Sequence, residues 1–156
     1  MSRSRRRLPA LALFALPFLP FAAGCHVAFG FDHPRVDGVE LEESHVETLE
    51  ASTLPAGFRV DAALGDIRVE AAEGAPTLVV QVFEKTPGDA QAVFVEGKLV
   101  SRSQSGEPSA IGDVTLRIDR PLEHLDVSTG MGDVDCQDVR YEEASLDSGM
   151  GSIRRK

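Results

Sequence analysis

Three observations predict an all-β fold built as a solenoid-like stack of short strands. Apolar residues alternate with polar ones through Phe58 and Val60, Ile67 and Val69, Leu78 to Val82, Val114 to Ile118, and Leu125 and Val127, the period-two signature of strands with one buried face. Turn residues recur between these runs, at Gly65-Asp66, Glu73-Gly74, Pro87-Gly88, Glu96-Gly97, Ser105-Gly106, Gly112-Asp113 and Gly132-Asp133. No segment keeps apolar residues at helical spacing for three turns, which leaves the all-β class. The third observation is an internal repeat. Leu125, Val127, Gly130, Met131, Gly132, Asp133 and Val134, in the stretch that runs to Cys136, are answered 19 residues later by Ala144, Leu146, Gly149, Met150, Gly151, Ser152 and Ile153. Phe58 to Val69 is a third copy and Gly112 to Leu116 a partial fourth, about 20 residues upstream of Gly132. A period near 20 predicts stacked units, each a strand, a glycine corner and a second strand resting on its neighbour.

Taken in order, the chain opens with a leader. Met1 to Arg7 is basic, Leu8 to Phe21 is apolar, and Ala22-Ala23-Gly24 places small residues before Cys25, the layout of a secretory signal peptide over residues 1–24. The apolar run of about 14 residues is shorter than a bilayer span of about 20, and Pro9, Pro17 and Pro20 interrupt it. The end of the leader resembles the lipobox of bacterial lipoproteins, although Ala22 stands where leucine is usual. The resemblance implies lipidation at Cys25 as the first mature residue, and membrane attachment through that lipid. His26, in place of a retention aspartate, favours the outer membrane in a Gram-negative host. The alternative is a secreted protein in which Cys25 is a free thiol.

Residues 25–45 read as a lipidated N-terminus and flexible tether, with Gly30, Pro34, Gly38 and the acids from Glu40 to Glu43. Val36, Val39 and Leu41 leave a first short strand open as a second reading. Residues 46–156 then form the stacked domain. Within it Phe83, Val93, Phe94, Val95, Leu99 and Val100 make a denser apolar zone, read as a hairpin covering one side of the stack.

The stretch Gly112 to Val139, and after it Phe58 to Val82, resembles the putative adhesin, or toast-rack, domain of bacterial envelope proteins. The likeness covers about Val46 to Lys156. It implies a β-solenoid-like stack and a domain of unknown function, with no catalytic or ligand residue to carry over. Members often continue through further rungs after the position of Ile153. Arg154, Arg155 and Lys156 either guard that edge by their charge or leave the last rung open, so self-association through the C-terminal rung is an expectation.

Charge narrows the partners. Lys and Arg number 16 against 25 acids; with Arg3, Arg5, Arg6 and Arg7 in the leader, 12 against 25 remain, a net charge of −13. Such a surface repels polyanions and excludes nucleic acid as the expected partner. With Cys25 assigned to the lipid, Cys136 has no intramolecular mate, so neither a disulfide framework nor a zinc cluster is expected. Cys136 alternates with Val134 and reads as a buried apolar side chain. Asp66, Asp113 and Asp133 follow turn glycines and are the weak calcium candidates. A hard cation wants six to eight oxygens, and Asp is also a favoured turn residue for local reasons. His26, His33, His45 and His124 show no metal-ligand spacing. Ser128, Ser145 and Ser148 lack the strand-to-helix elbow of a hydrolase nucleophile. Met131 and Met150 sit between paired glycines, either as a soft contact ridge for a partner or tucked under the next rung.

These readings predict a non-catalytic cell-envelope lipoprotein that needs no cofactor. It would present a β-solenoid-like surface to an envelope protein or surface partner, in adhesion or envelope scaffolding. The alternative is a periplasmic or extracellular module that senses a ligand or partner for a membrane signalling system. A polysaccharide enzyme would require a cleft with two carboxylates about 5 to 9.5 Å apart, and no spacing in the sequence singles out such a pair.

Overall fold

In the computed structural model, which describes residues 27–29, 33–50 and 56–155, every regular element is a strand. A small antiparallel sheet joins β1 (Val27–Phe29), β2 (Pro34–Val36) and β3 (Val39–Glu40). A six-stranded sheet runs in the order β14 (Ile153–Arg155), β12 (Val134–Cys136), β6 (Ile67–Ala71), β10 (Ser109–Ile118), β7 (Thr77–Glu84) and β4 (Glu43–Glu50). A five-stranded sheet runs β13 (Tyr141–Met150), β11 (Leu122–Met131), β5 (Gly57–Ala62), β9 (Lys98–Ser103) and β8 (Ala90–Val95).

The two larger sheets share one core, so the body is a sandwich. Phe58, Val60, Leu99, Leu125 and Val127 come from the five-stranded sheet, and Ile67, Val69, Leu78, Val80, Leu116 and Val134 from the six-stranded one. All are at most 1% exposed. Burying each of the larger aliphatic side chains contributes about 1.5–3 kcal/mol. Phe58 and Phe94 meet edge to face with ring centroids 6.4 Å apart, the arrangement their quadrupoles favour.

The repeat is visible in three corner units, β5–β6, β11–β12 and β13–β14. Their strands lie parallel and in register: Phe58 beside Leu125 beside Ala144, Val60 beside Val127 beside Leu146, and Ile67 beside Val134 beside Ile153. The partial fourth copy also takes its place, because Val114 of β10 pairs in parallel with Ile67. The stack does not extend through the whole domain. β4, β7 and β10 pair antiparallel, as do β8 and β9, and the pairing of β10 with β7 has a register shift between Ile111 and Val114.

Two sequence expectations change here. The tether predicted up to residue 45 gives way to β2, β3 and the start of β4. Leu41 is wholly buried against Phe83 and Ala110 in a second apolar cluster, and its N–H donates to the Pro34 carbonyl at 3.0 Å. The folded part therefore begins before Val46, because a tether cannot hold a buried leucine. The apolar zone around Phe94 is indeed a hairpin, β8–β9, turned at Glu96 and Gly97 with φ of 51° and 81°, the two positive values of a two-residue hairpin turn. It continues the five-stranded sheet at its edge instead of covering the stack. The leader 1–24, Cys25 and His26 lie outside the described residues.

Candidate interaction surface

The corners of the repeat hold a ladder of side chains. The Asp113 carboxylate Oδ1 accepts the Asp66 N–H at 2.7 Å, Asp66 Oδ1 accepts the Asp133 N–H at 2.8 Å, and Asp133 Oδ1 accepts the Ser152 N–H at 2.8 Å. Each rung thus satisfies a backbone donor that the tight corner turns away from the regular sheet bonds. Beside the ladder, Thr129 Oγ1 donates to the Gly65 carbonyl at 2.9 Å and Ser148 Oγ to the Gly132 carbonyl at 2.8 Å. The Ser152 N–H, and then its hydroxyl, hold the Asp133 carboxyl below the usual range.

This geometry explains why glycine and aspartate recur together. A Cβ on Gly132, at φ +143°, would lie 2.1 Å from the Gly65 carbonyl oxygen, so only glycine allows the corners to stack at this distance. The three calcium candidates, Asp66, Asp113 and Asp133, act as acceptors for the next rung. Among the described residues no group of three or more His, Cys, Asp or Glu is placed to hold a metal ion.

The outer faces carry paired charges. Arg59 meets Asp126 at 2.9 Å and Arg117 meets Glu70 at 2.7 Å. Asp61 accepts from Lys98 and, at 2.6 Å, from the Ser128 hydroxyl. Burial pushes Asp61 up, and the Lys98 and Ser128 contacts outweigh it, leaving its carboxyl below the ordinary value. His124 Nδ1 lies 3.2 Å from Glu143 Oε2 at the surface. A depression lined by Glu73, Asp119, Arg120, Asp138 and Arg140 carries both signs of charge. Cys136 is buried and unpaired among the described residues. Burial, with the Asp135 charge adding to it, pushes its thiol up to about 12, far from the thiolate a nucleophile needs.

The two methionines occupy equivalent corner positions, Met131 beside Met150. Met131 is partly covered, while Met150 on the outer rung is 55% exposed. One contributes to packing and the other to surface.

One polar network has no forerunner in the sequence reading. His45 Nδ1 lies 2.9 Å from Glu84 Oε1 and its Nε2 lies 3.0 Å from Glu47 Oε1. Glu84, only 3% exposed, accepts the N–H groups of Gly88 and Ala90 at 2.8 Å each. Glu47 accepts the Ala92 N–H at 3.0 Å. His45 and Glu47 stand on β4 and Ala90 and Ala92 on β8, so the network latches the edge strands of the two sheets together and occupies donors on the edge of β8. The Glu47 bond raises the His45 pKa; burial opposes this and Glu84 supports it. Burial pushes Glu84 up, but the amides of Ala90 and Gly88, with His45, hold it below its ordinary value. The only hint in the sequence was an acid, Glu84, ending an otherwise apolar strand.

The opposite end of the sandwich has no such latch among the described residues. β13 and β14 form its outer edges. Met150 and Ile153, the latter 42% exposed, stand there in solvent.

No protein-family model matches the chain, and no curated protein matches it. Solved structures do match. A putative cell adhesion protein from Clostridium sporogenes is 12% identical with a TM-score of 0.42, over 70% of this chain and 58% of that one. A putative adhesin from Parabacteroides merdae is 11% identical with a TM-score of 0.43, over 73% and 56%. A putative lipid binding protein from Parabacteroides distasonis is 14% identical with a TM-score of 0.41, over 73% and 52%. The chain thus spans little more than half the length of these structures. At this identity and these TM-scores, no function passes from them to the chain.

Proposed function

We propose that the protein is a non-catalytic, exported cell-envelope lipoprotein, anchored through Cys25, that presents its strand surfaces to an envelope or surface partner in adhesion or scaffolding. The observation that carries this reading is the corner ladder. The acids that recur with the repeat hold one rung to the next, through the Asp66, Asp113 and Asp133 bonds, and Cys136 is buried with a raised pKa. The groups that repeat therefore build a scaffold, and a scaffold of stacked strands offers extended rows of side chains to a partner. The leader and Cys25 supply the address.

The test is the intact mass of the protein isolated from membranes of its own host, with and without Cys25→Ser. A lipid-sized increment that disappears in the variant is the expected result. An unmodified mass would make the protein a freely secreted or periplasmic domain, and would remove the anchored reading.

A further inference from the structure

β4 is the outermost strand of the six-stranded sheet and lies inside the chain, between β3 and β5. It pairs antiparallel with β7 along its whole length, from Glu43 beside Glu84 to Glu50 beside Thr77, so every second residue turns its N–H and C=O away from the sheet. Among the described residues no backbone or side-chain group bonds that outer row. The devices that usually blunt an edge are missing from it: the register has no bulge, and the strand holds no proline and no lysine. The edge of β8 shows the contrast, because Glu84 and Glu47 occupy its Ala90 and Ala92 N–H groups. We infer that β4 accepts an added strand from a partner protein, an extended segment in which Lys or Arg alternates with β-branched residues. This names the partner chemistry of the interaction module proposed above and rests on that reading.

The two faces of β4 set that alternation. Leu49 packs against the core, and Glu43, His45 and Glu47 share its row; Leu49, Glu47 and His45 lie beside the buried Leu78, Val80 and Val82 of β7. Ser44, Val46 and Thr48 stand on the other face in solvent, with Val46 66% exposed. A strand laid beside β4 therefore meets carboxylates in one row and an uncharged, β-branched surface in the other. Opposite charges and well-packed side chains across neighbouring strands are stabilising, which puts Lys or Arg opposite Glu43 and Glu47, and Val, Ile or Thr opposite Val46 and Thr48. Glu43 is exposed and makes no ion pair among the described residues, so its charge is available to such a partner. A second copy of β4 has no Lys or Arg to offer these acids. The chain's 25 acids against 16 Lys and Arg favour a basic partner over another copy in the same way.

The test uses the protein purified in detergent from its own host and a short synthetic peptide in which Lys alternates with Val and Thr. Fluorescence anisotropy reads binding, and amide hydrogen exchange locates it. The peptide is expected to bind and to slow exchange at alternate residues of β4. The same peptide N-methylated throughout keeps its charge but loses its backbone donors, and is expected to bind about tenfold more weakly or worse. A peptide with Glu in place of Lys is expected not to bind. Glu43→Lys is expected to weaken binding of the basic peptide about a few-fold while exchange at Ala90 and Ala92 stays unchanged, which shows that the variant is folded. Four results would each overturn the proposal: no binding of the basic peptide, equal binding of the N-methylated one, protection away from β4, or alternate β4 amides already protected in the free protein by the rest of the chain or a second copy. A negative result on protein whose mass shows the Cys25-dependent lipid would overturn the added strand and leave the anchored lipoprotein standing.

Discussion

The Asp66 carboxylate accepts the Asp133 N–H at 2.8 Å, and its removal leaves that corner donor to find water at the edge of a stacked turn. Asp66→Ala is therefore expected to cost on the order of 1 kcal/mol, and Asp66→Asn, which keeps an acceptor oxygen, less. Urea unfolding of the two variants checks this; equal losses would show that charge, not the hydrogen bond, matters. Gly132→Ala is expected to be far worse. Its Cβ would sit 2.1 Å from the Gly65 oxygen at a φ of +143°, a backbone region that belongs almost only to glycine, so about 3–5 kcal/mol is expected. A loss below about 1 kcal/mol would mean the rungs separate easily. Cys136 is expected to resist thiol reagents in the native state and to react on unfolding, since burial holds its thiol near pKa 12. Rapid native labelling would show that the core at β12 opens.

Among the elements, β4 and β8 are joined by side chains as well as by the core, and that junction titrates. The charged groups facing the His45 imidazole are Glu47 on its own strand and Glu84 from β7. The His45 pKa is raised from 6.5. Its contribution is thus fully present below its unfolded value and lost as pH rises through the higher folded value. Glu84 is lowered from 4.5, so its contribution is present above that value and lost as pH falls through the lower folded one. The latch is strongest between the two ordinary values. As pH rises above 6.5 the protein is expected to lose stability relative to His45→Gln, with faster amide exchange at Ala90 and Ala92. Parallel stability curves for the two proteins would show that His45 is not the titrating group. Of the strands in this latch, β7 was legible in the sequence, where Leu78, Val80 and Val82 alternate, and β8 as half of a hairpin, whereas the start of β4 was read as tether. Their association was not, because a contact between His45 and Glu84 is a pairing 39 residues apart, and local periodicity carries no information about which edges meet.

For the whole molecule, the sequence by itself determined the class and the repeat, because both are short-range physics. Alternation follows from the two-residue period of a strand, and glycine with aspartate at a 19-residue offset follows from the need of each corner to clear and bond the next. The order of basic, apolar and small residues before Cys25 also led to the expectation of a leader. Only the tertiary structure decided that the three corner units make up six of the eleven strands in the two large sheets, that β9 and β10 join them in parallel, and that β4, β7 and β8 are added by antiparallel pairing. It decided too that Leu41 belongs to the core and that Asp113, Asp66 and Asp133 bond in that spatial order, which differs from their order in the chain. The physical reason is that strand order and sheet closure depend on which apolar faces and backbone edges can be satisfied together. The polar latch between β4 and β8 emerges only when both sheets are in place.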